Sequence, residues 1–229
     1  MSHHSLANRR TILTLSAAAA AMLPTTGSAY ATGAHSAGTK RSVVKNVVRT
    51  DKTSQTAAAL RDLWVGHIFW VRAVSLAVIN KQDAAAKVAE QQAVENAKSI
   101  AATIEPFYGA PAKDGFFKLL AGHYGAVKAY LTATVAGDSG AQSRATQSLT
   151  SNADEIASFL SKANPYLPKD ALQGLLLAHG GHHIQQIQQL KDGKYEAEAQ
   201  TWDEMKKHVY QIADATASAL AKQFAKKFA

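Results

Sequence analysis

The amino-acid sequence predicts an all-α protein, a six-helix bundle built from three helical-hairpin repeats of 56 residues. Residues 59–114, 115–170 and 171–226 align with one another without a gap. The most informative columns that agree in all three copies are Leu63/Leu119/Leu175, His67/His123/His179 and Ile100/Ile156/Ile212. A fixed period of this size indicates one supersecondary unit repeated along the chain. No stretch shows the sustained alternation of a β-strand.

Each copy contains two segments of helical periodicity separated by a short polar turn. The predicted turns lie at residues 80–83, 137–140 and 192–194. Gly and Asn commonly end helices, whereas Asp and Ser commonly begin them, so these turns join two helices in each copy. Prolines separate the copies at Pro106 and Pro111 and again at Pro165 and Pro168. Since proline disfavours a helix interior, the sequence predicts a boundary at each of these linkers.

The first helix of each copy places its repeated histidine on a core-facing stripe. In the first copy, Leu60, Trp64 and Val71 surround His67 at the 3, 4, 7 spacing of such a stripe. The other two copies repeat the pattern. The three repeated histidines are therefore predicted to be buried.

Hairpin geometry predicts which residues lie opposite these histidines. Antiparallel helices place residues at the same height when they are equally far from the turn. This rule pairs His67 with Asn96, His123 with Asn152, and His179 with His208, and His183 lies one helical turn from His179. A buried polar group left unpaired costs ~1–3 kcal/mol, so this polar layer must be hydrogen-bonded, hydrated or metal-bound.

Three interpretations of the layer remain open at the level of sequence. The first is a transition-metal site for Zn, Cu or Fe, because imidazole is a good ligand for these metals. Its predicted ligands are His67, His123, His179, His183 and His208, and its adjoining cofactor-binding residues are Trp64, Asn96 and Asn152. The second is a structural layer that fixes helix register. The third is a pocket for haem or a small ligand, lined by Trp64, Phe69 and Trp70.

The predicted function is that of a secreted, non-catalytic binding protein for a transition metal, a metal cofactor or a small ligand. The alternative is an envelope-associated interaction protein whose histidine layer is purely structural. The chain has no cysteine and no H-E-x-x-H, G-x-S-x-G or Walker sequence. An enzyme is less favoured but stays open, since three histidines and an open position would form a catalytic type of metal site.

The N-terminal region predicts export. Arg9 and Arg10 precede an apolar run and an A-x-A sequence ending at Ala31, so residues 1–31 are predicted to be a signal peptide cleaved near Ala31. The chain is then expected to be secreted or periplasmic. No later segment approaches 18 uninterrupted apolar residues, which predicts a chain that does not span the membrane.

Residues 32–53 are predicted to form a flexible basic arm, followed by the helical domain at 54–229. The formal net charge is +8, and part of the excess lies in this arm. Such an arm either contacts an anionic cell-envelope surface or simply carries solvated charge. No nucleic-acid partner is expected, because aromatic residues are not interleaved with the basic ones.

Two segments resemble a known group of proteins. They have the patterns W-x-x-H-x-x-W-x-R, residues 64–72, and N-A-D-E-I-A-x-F-L, residues 152–160. Both are similar to segments of a little-characterised group of exported bacterial helical proteins, some of which are labelled glycosyltransferase. The resemblance implies a helical fold but no transferase, because this sequence shows no nucleotide-sugar site. In that group an acidic residue tends to precede the histidine, whereas this chain has Gly66, Gly122 and Ala178.

Overall fold

The structure is a computed structural model that describes residues 51–229, all within one compact unit. The described residues form helices and no strand. The helices are α1 (Lys52–Ile79), α2 (Asp83–Ala102), α3 (Glu105–Tyr108), α4 (Ala110–Ala136), α5 (Ser139–Ala163), α6 (Lys169–Lys191), α7 (Tyr195–Gln223) and α8 (Ala225–Phe228). The all-α prediction is confirmed for this part of the chain. The predicted signal peptide and nearly all of the basic arm lie outside the described residues.

The first helix begins two residues earlier than the sequence predicted. Asp51 precedes α1, and its carboxylate accepts a hydrogen bond from the backbone N–H of Ser54 at 2.8 Å. An N-terminal cap of this kind satisfies a backbone donor that has no partner within the helix. The last residues assigned to the arm therefore belong to the capped start of α1.

The short connections between long helices lie where the turn residues predicted them. Gly137 ends α4 with φ 72°, in the left-handed region that glycine adopts without strain. Asp138 then caps α5 by accepting a hydrogen bond from the backbone N–H of Ala141 at 2.8 Å. Gly193 takes a similar positive φ of 69° between α6 and α7.

The proline-containing linkers include helical turns and a hydrogen bond between them, although the sequence predicted only helix boundaries there. Pro106 lies in the first turn of α3, and Pro111 lies in the first turn of α4. Proline is well tolerated there because its missing N–H has no intrahelical partner at that position. In the second linker, buried Asn164 donates from its side chain to the Tyr108 hydroxyl at 3.0 Å, which ties the two linkers together.

The six long helices contact one another in a closed ring. Along the chain, α1 packs on α2, α4 on α5, and α6 on α7. Each second helix also contacts the first helix of the following pair, through α2 with α4, α5 with α6, and α7 with α1. The first helices α1, α4 and α6 contact each other as well. These three helices therefore surround the centre of the bundle.

Positions 56 residues apart are buried together along these three central helices. The successive sets are Leu60/Phe116/Leu172, Trp64/Leu120/Leu176, His67/His123/His179 and Val71/Val127/His183. The apolar core thus carries one complete histidine set, followed one turn later by a set that contains a fourth histidine.

Helix α1 is long and apolar enough to cross a bilayer, judged by length and composition alone. It is the one helix among residues 51–229 that meets this test. The core helix of a soluble protein meets the same test, and α1 buries Leu60, Trp64 and His67 against the other central helices.

Candidate metal centre

Four buried histidines meet at the centre of the bundle. His67 lies on α1, His123 on α4, and His179 and His183 on α6. Each offers one ring nitrogen, and these four nitrogens all lie within 4.8 Å of one another. Their relative exposures range from 1% to 6%. We call this group the four-histidine centre.

The three repeated histidines occupy similar places around the centre. The His67 and His123 ring centroids are 6.2 Å apart, and each lies 5.4 Å from the His179 centroid. Helical periodicity explains this arrangement, since the same seam position on three mutually contacting helices faces a common axis.

His183 completes the group from the next helical turn. It follows His179 by four residues, and the two Nε2 atoms are 3.2 Å apart. The other two central helices carry Val71 and Val127 at the equivalent positions, so only α6 supplies a second histidine. Helix α6 therefore provides two of the four histidines, and α1 and α4 provide one each.

Several ring nitrogens of the centre have no hydrogen-bond partner. They are Nε2 of His67, Nε2 of His123 and Nδ1 of His179. An unsatisfied buried polar atom costs ~1–3 kcal/mol. The side chains of the layer therefore do not form a closed hydrogen-bond network of their own.

Burial keeps these imidazoles neutral. Burial, followed by repulsion from His123, lowers the pKa of His67 to about 3. Burial lowers the pKa of His123 to about 4, although the neighbouring Asn152 amide opposes the shift. Burial, followed by repulsion from neighbouring histidines, lowers the pKa values of His179 and His183 well below their usual range. Neutral imidazole is the form that binds a metal ion.

The residues predicted opposite the repeated histidines bind backbone instead. Asn96 and Asn152 each donate from Nδ2 at 3.0 Å, and His208 donates from Nε2 at 2.8 Å. The acceptors are the carbonyls of Leu63, Leu119 and Leu175, which form one of the repeated columns. The same interhelical bond thus recurs at 56-residue spacing. It joins α2 to α1, α5 to α4, and α7 to α6.

His208 is not among the four histidines whose ring nitrogens converge. Sequence reasoning included His208 among the metal ligands because it lies at the height of His179. Its ring centroid is 6.5 Å from that of His179, and its Nε2 is engaged with Leu175. Asn96 and Asn152 likewise use their amide nitrogens on backbone carbonyls, while their Oδ1 atoms have no partner.

Two glycines leave room for the asparagine amides. A Cβ at Gly66 would lie 2.9 Å from Nδ2 of Asn96, and one at Gly122 would lie 3.2 Å from Nδ2 of Asn152. Any larger side chain at these positions would displace the amide.

Trp64 contacts the centre from the turn below. Its ring meets those of His67 and His179 edge-on, with centroids 5.7 and 5.6 Å away. Beneath it lies a mainly apolar cavity of about 20 Å³, whose lining includes Leu60, Phe116 and Leu172. Such a volume admits about one water molecule. Haem does not fit into it.

The other two aromatic residues of the predicted ligand pocket do not reach the histidines. Phe69 and Trp70 pack edge to face on each other, and the Phe69 side chain is half exposed. Consecutive residues of a helix point about 100° apart, so the seam that directs Trp64 and His67 inward directs Phe69 outward.

Sequence reasoning missed two features close to the centre. His182 is half-buried beside His208, with ring centroids 5.3 Å apart, and its Nδ1 has no partner. Glu198 is fully buried on α7 and accepts two hydrogen bonds from Arg72 of α1, at 2.6 and 2.7 Å. The adjacent His182 and His183 were a visible signal, whereas nothing in the sequence joined Arg72 to Glu198.

No protein-family model, curated protein or solved structure matches this chain. The protein is therefore described by its fold and site alone, as an all-helical bundle with a buried group of four histidines.

Proposed function

We propose that this chain is a non-catalytic, exported protein that binds one transition-metal ion at the four-histidine centre. The observation that carries the proposal is the convergence of four buried, neutral imidazoles with ring nitrogens within 4.8 Å of one another. Three of these rings have a nitrogen without a hydrogen-bond partner. A metal ion bound through Nε2 of all four rings would satisfy the free Nε2 atoms of His67 and His123 together.

The distances suit a metal after modest side-chain movement. Four nitrogens around a tetrahedral ion with metal–nitrogen bonds of ~2.1 Å lie ~3.4 Å apart. The Nε2 atoms of His179 and His183 already lie 3.2 Å apart. The ring nitrogens that are farther apart, by up to 4.8 Å, need to approach one another to ~3.4 Å. Small changes in side-chain torsion provide this movement.

The ligand set favours zinc, copper or iron. Imidazole suits all three metals, and the group contains neither a thiolate nor a carboxylate. Four protein ligands close the coordination shell of a tetrahedral ion, as in structural zinc sites, whereas catalytic sites keep one position open. The centre therefore favours holding an ion over catalysis at it.

The three-hairpin repeat is part of the same proposal. We interpret the pairs α1–α2, α4–α5 and α6–α7 as three copies of one hairpin arranged around a common axis. The recurring bonds to Leu63, Leu119 and Leu175 support this interpretation. A threefold arrangement brings His67, His123 and His179 together, and His183 adds a ligand on one side.

Export completes the proposed function. Cleavage near Ala31 would release a chain beginning at or near Thr32, with the basic arm free to contact an anionic envelope surface. Mass spectrometry of the protein recovered from its native cell tests this part. A chain that starts at or near Thr32 in the exported fraction supports export, and an intact chain beginning at Met1 in the cytosol contradicts it.

A purely structural histidine layer is the second candidate function. It is favoured by the bonds from Asn96, Asn152 and His208 to backbone carbonyls, which fix the register of each helix pair. On that account the chain is an envelope-associated interaction protein with no bound ion.

Elemental analysis separates the two candidates. The untagged protein is purified without chelating resin and its metal content is measured. The proposed function predicts one equivalent of zinc, copper or iron per chain, and far less in His183→Val. A wild-type protein that carries no metal and takes none up during dialysis against each ion would favour the structural candidate.

A further inference from the structure

A second pair of histidines lies between the four-histidine centre and the surface. We propose that His182 and His208 form an entry site that captures the metal ion from solvent and passes it to His179. This inference rests on the proposed function, because it concerns how the ion reaches the same centre. We call His182 and His208 the accessory pair.

The accessory pair continues the line of imidazoles outward. The His179 and His208 rings are nearly parallel, with centroids 6.5 Å apart, and the His208 and His182 centroids are 5.3 Å apart. His179 is 1% exposed, whereas both members of the pair are only partly buried. An ion moving along this line meets a ring nitrogen at each step from the surface to the centre.

Hydrogen bonding leaves His208 with a free lone pair. The carbonyl of Leu175 can only accept, so the Nε2 atom of His208 that lies 2.8 Å away must carry the proton. A neutral imidazole has one N–H and one bare nitrogen, and Nδ1 is therefore the nitrogen able to bind a metal. Nδ1 of His182 is buried and has no hydrogen-bond partner, and the His182 and His208 ring centroids are 5.3 Å apart.

The accessory pair is specific to the third hairpin. At the positions equivalent to His208, the other two helix pairs carry Asn96 and Asn152, which make the same bond to a leucine carbonyl. An asparagine is therefore sufficient for the structural bond. The histidine adds a metal-binding atom on α7, next to the helix that also provides His183.

The surface beside His182 is uncovered and carries an acidic group. Gly181 is exposed, and a Cβ placed there would meet no atom within 4 Å. Glu204 is exposed on α7 one turn before His208, and its carboxylate interacts electrostatically with the His182 ring. A carboxylate in this place attracts a cation toward the pair.

The matched substitutions are His208→Asn and His182→Ala. His208→Asn installs the residue found at 96 and 152 and so keeps the bond to the Leu175 carbonyl. His182→Ala installs the residue found at the equivalent position 126. Gln185→Ala, an exposed change on the same helix, serves as the control.

The experiment follows Co²⁺ uptake by the metal-free full chain in a stopped-flow spectrometer, through the visible absorption of the bound ion. We expect wild type and Gln185→Ala to load at the same rate. The double variant of the accessory pair should bind the same one equivalent with unchanged affinity. Its loading and its release to a chelator should both slow by about tenfold or more, which lies within the range of association rates among variants of one site.

Each other outcome has a distinct meaning. Equal loading rates in wild type and the double variant would overturn the entry site and leave the proposed function standing. A loss of bound ion or of affinity in the double variant would also overturn it, because the accessory pair would then be ligands of the centre. A wild-type chain that binds none of Co²⁺, Zn²⁺, Cu²⁺ and Fe²⁺ would refute the proposed function itself.

Discussion

The Nε2 atoms of His179 and His183 lie 3.2 Å apart, one helical turn from each other on α6. Two neutral imidazoles make this contact only when one donates a proton and the other accepts it. A metal ion between the two nitrogens would replace that hydrogen bond with two metal–nitrogen bonds, and the donor ring would carry its proton on Nδ1 instead. This pair is therefore the point at which the metal-free and metal-bound forms differ most clearly.

Replacement of His183 by valine tests its role as the fourth ligand. Valine occupies the equivalent buried positions 71 and 127, so the helix should accept it. We expect zinc affinity to fall by more than about 100-fold, since even residues that only support a ligand contribute 10- to 100-fold. Titration against a competing chelator measures this change. Unchanged zinc affinity would exclude His183 from the site.

The same variant should fold about as well as wild type without metal. Valine removes a buried polar group but also some volume, and volume-conserving core changes usually cost less than about 1.5 kcal/mol. Urea unfolding in the presence of chelator measures the difference. A much larger loss would mean that His183 supports the metal-free fold directly.

The metal-free protein should lose stability as pH falls below 6.5. Burial lowers the folded-state pKa of His67 to about 3 and that of His123 to about 4, from an ordinary value of 6.5. The unfolded chain therefore binds more protons between these limits. Each buried histidine contributes stability that is fully present above pH 6.5 and falls by about 1.4 kcal/mol per pH unit below it.

Urea unfolding of the chelator-treated protein at pH 7.5 and pH 5.5 checks this expectation. In His123→Ala, the number of protons taken up on unfolding should fall by about one, so the free energy of unfolding should depend less steeply on pH. A free energy of unfolding that is the same at both pH values would contradict the burial of neutral imidazoles.

The bond from Asn152 to the Leu119 carbonyl should contribute to stability but not to metal binding. Asn152→Ala removes this bond, and we expect a loss of about 1 kcal/mol in the free energy of unfolding, both with and without zinc. One equivalent of zinc should still bind. Loss of zinc from this variant would instead make the asparagine part of the metal site.

The ion pair between part-exposed Arg72 and buried Glu198 should contribute more to stability than a pair in which both side chains are exposed. Glu198→Ala leaves the Arg72 guanidinium and the Gln186 amide without their carboxylate, and we expect a loss of about 3 kcal/mol. Asp214→Ala breaks the exposed pair with Arg61, whose side chains are 43% and 45% accessible, and should cost less than about 1 kcal/mol. Equal losses in thermal or urea unfolding would contradict this difference in burial.

Periodicity and turn residues were sufficient to predict the buried histidines. The seam spacing around His67 predicts burial because a helix returns to the same face every 3.6 residues. The repeat then carries the same conclusion to His123 and His179. The short helix α3 was missed because Pro106 was interpreted only as a breaker, although proline fits the first turn of a helix.

The sequence predicts the position of a side chain along the bundle axis better than it predicts which group that side chain binds. Hairpin geometry placed Asn152 level with His123, but whether the amide binds the ring or the Leu119 carbonyl depends on local space, which Gly122 provides. Arg72 and Glu198 are 126 residues apart in sequence, and no local pattern joins them. Long-range pairs of this kind depend on how the helices assemble in three dimensions.

The central claim is that the four-histidine centre binds one transition-metal ion, and thermal melts of wild type and His123→Ala test it most directly. Both proteins are melted at pH 7.5 with chelator and with excess Zn²⁺, Cu²⁺ or Fe²⁺. A ligand that binds only the folded state raises its stability by about 2.7 kcal/mol at 100 times the dissociation constant. We predict such a metal-dependent rise in melting temperature for wild type and none for His123→Ala. Identical shifts in both proteins, or no shift in either, would contradict a metal site at these histidines.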